Sequence, residues 1–254
     1  MALTRDQLDF FHVNGFLKFG PLLDDAQIET LRRAYDEEFE KENRKEGGAT
    51  VLHDPSATEE HRKKFKMLQI LQMSERNIHF ARLIYNEKML DVVEDMIGPN
   101  IQLFHDQALF KPAFTGGAVS WHQDNAYWSC RPANLVSCWI TLDDVTRING
   151  AMQVIPGSHL KPIWHGDVTK NAAGDLFDAG KEVDKSKAVV IELPAGGCMF
   201  HHCQTLHYTQ PNETPNQRRA MAIHFMIPGT KSESPYLKDH MKVSFARPIL
   251  RMRI

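Results

Sequence analysis

Ile101-Gln102-Leu103-Phe104-His105-Asp106-Gln107-Ala108-Leu109-Phe110 repeats with a period of two, placing Ile101, Leu103, His105, Gln107 and Leu109 on one face. That period belongs to a strand. Further short apolar or β-branched runs follow at Leu135–Leu142, Ala151–Ile155, Val189–Leu193, Cys198–His202 and Ala220–Met226. Turn signals part them: Gly116-Gly117, Pro156-Gly157-Ser158, Pro194-Ala195-Gly196-Gly197 and Pro211-Asn212. Many short strands between Gly/Pro turns predict a sandwich or jelly roll, not a βαβ fold. The polar stretch His165–Lys187 is either an ordered lid or disorder.

Upstream of Pro99 the period is helical. Thr4 can cap a helix carrying Leu8, Phe11 and His12, which Asn14-Gly15 ends. Asp24 or Asp25 can cap a second helix with the stripe Ile28, Leu31 and Tyr35. Lys45 to Lys64 reads as a loop, and Asn77–Ile84 and Lys88–Ile97 as helices stopped by Gly98-Pro99. The expected layout is one domain, 1–254: mostly helical support over 1–100 and a β core over 101–254.

Hydrophobic residues make up 42% of the 254, enough for a sizeable core, and the formal charge of -2 gives no electrostatic case for nucleic acid or an anionic membrane. The basic cluster His61-Arg62-Lys63-Lys64 reads as a solvated helix face. No apolar run reaches the roughly 18 residues of a membrane span. Met1–Asp6 lacks a secretory layout, and Cys130, Cys138, Cys198 and Cys203 form no CxxC pair. These features predict a cytoplasmic protein with a small-molecule substrate, a monomer or weak homodimer.

The segment Ser120-Trp121-His122-Gln123-Asp124 carries the chemistry. Residues two apart on an extended segment project to one side, so His122 and Asp124 can meet one metal ion. Imidazole plus carboxylate suits Fe(II), and a third ligand would complete a face with positions left open. His207 is the candidate for it. Arg218, eleven residues on, opens the strand Ala220–Met226 and offers a planar fork to a dicarboxylate. The competing reading of Arg218-Arg219 is an exposed basic turn. Cys198-Met199-Phe200-His201-His202-Cys203 could be read as a zinc cluster, but His201 and His202 would face opposite ways in a strand. Both read instead as core residues or as partners behind the ligands, with His202 second to His207 as a candidate ligand.

Several segments occur in order: Gly15-Phe16-Leu17, Gly98-Pro99-Asn100-Ile101, Lys111-Pro112, His122-Gln123-Asp124, Arg131-Pro132, Trp139, Asn149 to His159, Leu206-His207 and Arg218. In these the sequence resembles the phytanoyl-CoA dioxygenase family of Fe(II)/2-oxoglutarate oxygenases, along nearly its whole length. The resemblance implies a double-stranded β-helix (jelly roll, cupin-like) core preceded by a helical region. It implies iron at His122, Asp124 and His207, with 2-oxoglutarate on Arg218 and O₂ as co-reactant. Gln107, Trp139 and Thr209 fall where the family places further cosubstrate contacts, Gln107 where a Met is often found. Gly197-Cys198 stands where Gly-Asp is usual, which bears on local hydrogen bonding.

The implied reaction is oxidation, most simply hydroxylation, of a metabolite C–H bond with release of succinate and CO₂. Desaturation, cyclisation or bond cleavage by the same oxidant, or a non-catalytic binding protein on this fold, are the alternatives. A carboxylate at Asp124 argues against the halogenating relatives, which carry a small residue there. His105, which shares parity with Gln107, and Asn125, Tyr127 and Trp128 beyond the metal motif are candidates to face the substrate. His159 reads as a turn residue, Met221 and Met226 as core.

Overall fold

Two capping boxes begin the chain's support layer. Thr4 and Gln7 exchange side-chain and backbone hydrogen bonds at the start of α1 (Arg5–Asn14), and Gly15, at φ 78°, closes it. Asp24 and Gln27 do the same for α2 (Asp25–Asn43). The short α3 (Met73–Arg76) and α4 (Ile78–Leu83) follow, then α5 (Glu87–Ile97), started by Asn86 and ended at Gly98. The computed structural model describes residues 1–45, 50–52, 59–60, 67–163, 165, 179, 183–232, 234 and 247–253. The basic cluster at 61–64 and most of the 165–187 stretch lie outside the described residues.

The strands are β1 (Phe16–Phe19), β2 (Thr50–Leu52), β3 (Met67–Leu71), β4 (Ile101–Lys111), β5 (Val119–His122), β6 (Cys130–Arg131) and β7 (Val136–Thr141). They continue with β8 (Met152–Val154), β9 (Val189–Ile191), β10 (Cys198–His202), β11 (His207–Thr209), β12 (Arg218–Met226), β13 (Lys231–Ser232) and β14 (Ile249–Arg251). A short helix, α6 (Asp124–Trp128), follows β5. Among the described residues the larger sheet runs β1-β10-β7-β12-β4-β3-β2, with β14 on β4, and the smaller β5-β11-β8-β9. This mixed architecture, helices against an antiparallel β core, is the expected double-stranded β-helix.

Strand alternation divides the larger sheet into two faces. Cys138, Ile140, Cys198, Phe200, Met221 and Ile223 pack outward against α2 and α5 side chains such as Ile28, Leu31, Tyr35 and Val93. Trp139, Met199, Ala220, Ala222 and Leu109 point inward and meet Met152, Val154 and Ile191 of the smaller sheet. The functional residues lie between the sheets, on this second face.

Two expectations need correction. Thr50–Leu52, inside the loop read over Lys45–Lys64, pairs with β3 as a strand. Besides their helices, the N-terminal hundred residues supply β1 and β3 to the larger sheet. The single face read over Ile101–Leu109 is broken by a bulge: His105 pairs with His224 but Leu103 with Phe225, which makes Phe104 the extra residue. Ile101 and Leu103 therefore pack on the helix side, while Leu109 packs between the sheets. A bulge forms through cross-strand pairing, which a single strand's periodicity does not report.

Candidate metal centre and cosubstrate pocket

His122 ends β5 and His207 begins β11, and the two are direct partners across the antiparallel pair. Their rings lie 4.1 Å apart. The backbone fixes each ring: His122 Nδ1 donates to the Ser120 carbonyl at 2.7 Å, and His207 Nδ1 to the Thr205 carbonyl at 2.9 Å. With the proton held on Nδ1, each Nε2 carries a lone pair. Asp124 does not extend the strand, as the sequence suggested; it opens α6 after the extended Gln123. The extended link still turns its carboxylate to the histidines, with Oδ1 3.5 Å from His122 Nε2 and 3.6 Å from His207 Nε2. One donor atom from each of the three residues lies within 4.8 Å of the others, and all three are buried.

Burial first, then His122, pushes the pKa of His207 down to about 3, so its ring is neutral. Burial works against the charge of Asp124, but the facing histidines His207, His122 and His201 outweigh it and hold the carboxyl well below its usual range. Two imidazoles and one carboxylate, arranged on one side of a point, form the two-His-one-carboxylate donor set that suits Fe(II).

Gln123, between two members of this set, braces the surrounding loops. Its side-chain NH₂ donates to the carbonyls of Ser158, Lys161 and Gln204, and its carbonyl accepts from Ile163 N–H. His165 Nε2 accepts its backbone N–H at 2.8 Å. Sequence reading passed over Gln123 because its importance depends on which loops meet there.

Arg218 has no exposed surface. Strand alternation separates it from Arg219, which pairs outside with both oxygens of Asp143 and with Asp36, so the exposed-turn reading fails for both. Arg218 donates through Nη1 to the Leu109 carbonyl at 3.0 Å, while its Nε and Nη2 have no hydrogen-bond partner. Its Cζ stands 5.9 Å from the ring centre of Trp139, and burial pushes its pKa down to about 10. The buried hydroxyl of Thr209 is likewise without a partner. A buried guanidinium with no carboxylate of its own is costly, by several kcal/mol. Its free Nε and Nη2 fit an incoming carboxylate such as that of 2-oxoglutarate.

Lys111, opposite Arg218 across β4 and β12, is also fully buried and donates to the carbonyls of Gly117, Gln210 and Thr209. Burial first, then Arg218, lowers its pKa well below the ordinary lysine value. Gly150, at φ 97°, brings its chain against this stem: a Cβ there would lie 2.8 Å from Lys111 Cδ.

The other expected residues divide. The Gln107 amide is engaged by Gln69 and His224. His105 is buried with neither ring nitrogen hydrogen-bonded, its ring 4.3 Å from that of His224. Tyr127 sets its ring edge-on to His122 at 5.5 Å, and Trp128 packs on Phe104, His105 and His224. Asn125 closes a turn by exchanging hydrogen bonds with the Cys130 backbone. His202 lies outside the metal-capable group and accepts Gln204 N–H, while His201 donates to Asp124. The four cysteines are buried and free, and among the described residues the triad alone could hold a metal ion. His159 bonds the His12 carbonyl of α1, and Met221 and Met226 are core. Ser137 and His224, missed in the sequence, share strand parity with Trp139 and Arg218 respectively; that parity was the available signal. A cleft of about 470 Å³ beside α2, lined by Leu23, Gln27, His79 and Arg82 among others, is separate from this centre.

Residues 11–220 match the family model for phytanoyl-CoA dioxygenase. The human peroxisomal phytanoyl-CoA dioxygenase is 33% identical over 240 residues, covering 88% of this chain and 68% of that protein. A probable alpha-ketoglutarate-dependent hypophosphite dioxygenase of Stutzerimonas stutzeri is 31% identical over 147 residues, covering 56% of this chain and 50% of that one. Among solved structures, EvdO2 of Micromonospora carbonacea in complex with 2-oxoglutarate is 25% identical with a TM-score of 0.63, covering 89% of this chain and 91% of that one. The carbocyclase SnoK of nogalamycin biosynthesis has a TM-score of 0.78 over 94% and 90% of the two chains; at 19% identity it speaks for the fold alone. The expectation of a cytoplasmic protein is corrected here, since the human, bovine, mouse and rat relatives are peroxisomal. Free cysteines do not separate one reducing compartment from another. No described helix is long and apolar enough to cross a membrane.

Proposed function

The chain belongs to the phytanoyl-CoA dioxygenase family of Fe(II)/2-oxoglutarate-dependent oxygenases, and on that premise we propose that it is an oxygenase that hydroxylates a C–H bond of a small metabolite. His122 and His207 would hold the iron through Nε2 and Asp124 through Oδ1. The Arg218 fork would receive the distal carboxylate of 2-oxoglutarate, with the Thr209 hydroxyl beside it and Trp139 beneath. When bound, the iron supplies O₂ activation coupled to conversion of the cosubstrate into succinate and CO₂.

The remaining work falls to the protein. The Ser120 and Thr205 carbonyls hold the ligand tautomers. Trp139 keeps water from the guanidinium, so its charge acts in a low-dielectric space. Tyr127 and His105 would form the wall facing the substrate, and the Asn125 side chain, engaged with Cys130, leaves that role to them. The observation that carries this reading is the buried, unpaired Arg218 fork in the same inter-sheet space as the triad. Desaturation, cyclisation or bond cleavage by the same oxidant are the other outcomes open to this donor set.

The test is anaerobic titration with Fe(II) and 2-oxoglutarate, followed by succinate measurement on admitting air with a metabolite panel. A visible charge-transfer band and substrate-dependent succinate are expected. No band and no succinate would remove the assignment, and a cyclised or desaturated product would replace hydroxylation.

A further inference from the structure

A row of polar side chains crosses the inner face of the larger sheet and ends on Asp124. His201 of β10 pairs with Ser137 of β7, Ser137 with His224 of β12, and His224 with His105 of β4. Gln107 lies one inward position along β4 from His105, and Gln69 lies on the neighbouring strand β3. Hydrogen-bond distances join most of this row into a chain: Ser137 Oγ is 3.3 Å from Asp124 Oδ2, and His224 Nδ1 2.7 Å from Ser137 Oγ. Gln107 Nε2 is 3.0 Å from His224 Nε2, and Gln69 Nε2 donates to Gln107 Oε1.

The direction of every bond follows from the first. An ionised carboxylate only accepts, so Ser137 donates its hydroxyl hydrogen to Asp124. The Ser137 oxygen then accepts from Nδ1–H of His224. A neutral His224 with its hydrogen on Nδ1 presents a lone pair at Nε2, so the Gln107 amide must turn its NH₂ there. Its carbonyl is thereby left to accept from Gln69. Four hydrogen bonds run head to tail across β3, β4, β12 and β7. A second donor, His201 Nε2–H, reaches the same Asp124 oxygen at 3.2 Å.

We propose that Gln69, Gln107, His224 and Ser137 form a polarised relay that, with His201, fixes Oδ2 of Asp124 and so presents Oδ1 alone to the metal. Gln107 is then a positioning residue acting through Asp124. Oδ1 is the oxygen facing both His122 and His207. This rests on the metal reading above and is independent of which substrate is oxidised.

The test uses Co(II) titration of the metal-free full chain, without cosubstrate, on Ser137→Ala, Gln107→Met and the double variant. Outer-shell changes typically weaken metal binding by ~10–100-fold, and Ser137→Ala should fall in that range with an altered Co(II) visible spectrum. Gln107→Met should weaken binding less. Because both act through one chain, the double variant should bind no worse than Ser137→Ala. Gln107→Met should still melt cooperatively, somewhat below wild type because Gln69 and His224 lose their partner, and this variant carries the test alone if Ser137→Ala does not fold.

Unchanged affinity and spectrum, or losses that simply add, would overturn the relay. Wild type that binds Co(II) normally but gives no band with Fe(II) and 2-oxoglutarate would remove the cosubstrate reading and leave the relay standing. Wild type that binds no Co(II) would remove both.

Discussion

Two groups of buried polar side chains share the space between the sheets and differ in one respect. Around the metal centre each ring is tied at one nitrogen or both: His122 to Ser120, His207 to Thr205, His224 to Ser137 and Gln107, and His201 to Asp124 through Nε2, its Nδ1 being without a partner. At Arg218, Thr209 and His105 buried nitrogens and a hydroxyl have no hydrogen-bond partner. Closed networks rigidify, whereas an unsatisfied buried donor costs ~1–3 kcal/mol. The engaged group is therefore the preorganised part of the machine, and the unengaged group is the part shaped for something that arrives. Each can be perturbed with opposite consequences for stability and binding.

The largest effect is expected at the engaged group. Asp124→Ala removes the carboxylate on which the relay and His201 converge, so Fe(II) binding should weaken beyond the ~100-fold upper range of outer-shell changes, and succinate formation should disappear. Metal titration of the apo chain measures this. Near-normal affinity would mean that the cluster is a structural hydrogen-bond knot.

Arg218→Met sharpens the contrast because binding and stability should move oppositely. Truncating a buried charge that pairs with a ligand typically costs at least ~2 kcal/mol, or about 30-fold in 2-oxoglutarate affinity. Relieving the unpaired guanidinium should leave the apo fold about 1–3 kcal/mol more stable. In wild type, saturating 2-oxoglutarate at ~100 times Kd should add ~2.7 kcal/mol, and the variant should show no such gain. Denaturant melts with and without cosubstrate decide it; a destabilised apo variant with normal affinity would place Arg218 in the engaged group.

Gln123→Leu tests the bracing of the engaged side. It strands the carbonyls of Ser158, Lys161 and Gln204 and the N–H of Ile163, so a loss of roughly 1–3 kcal/mol in apo stability is expected. Loss of metal affinity without any fall in stability would assign Gln123 to the metal instead.

How far this division could be read in the sequence depended on sequence distance. Thr4 and Asp24 announced their helices because a cap is decided within four residues. The strand Cys198–His202 was found with its observed bounds, and β4 and β12 nearly so, since each carries enough alternation to show its period. By contrast β5 and β11 have four and three residues and exist through pairing with partners far away in sequence. The same holds for the bulge at Phe104. His122, Asp124, His207 and Arg218 were legible because motif spacing reports them. Ser137 and His224 were not, because a hydrogen-bond row across a sheet follows from register.

His105 belongs with Arg218 and supplies the gentlest test, through pH. Burial lowers its pKa from the usual 6.5 to about 4, despite the opposing charge of Asp124. Between those values the unfolded chain binds a proton that the folded chain does not, so stability rises with pH there. The contribution is fully present above pH 6.5 and is lost as pH falls towards 4, by up to ~1.4 kcal/mol for each unit. His105→Phe, among Phe104 and Trp128, removes both unpartnered nitrogens and this proton uptake. The variant should therefore lose about 1 kcal/mol less than wild type between pH 6.5 and 5.5, and should be no less stable at pH 7.5. An unchanged slope would mean that His105 is solvated in the folded chain, which would move it out of the unengaged group.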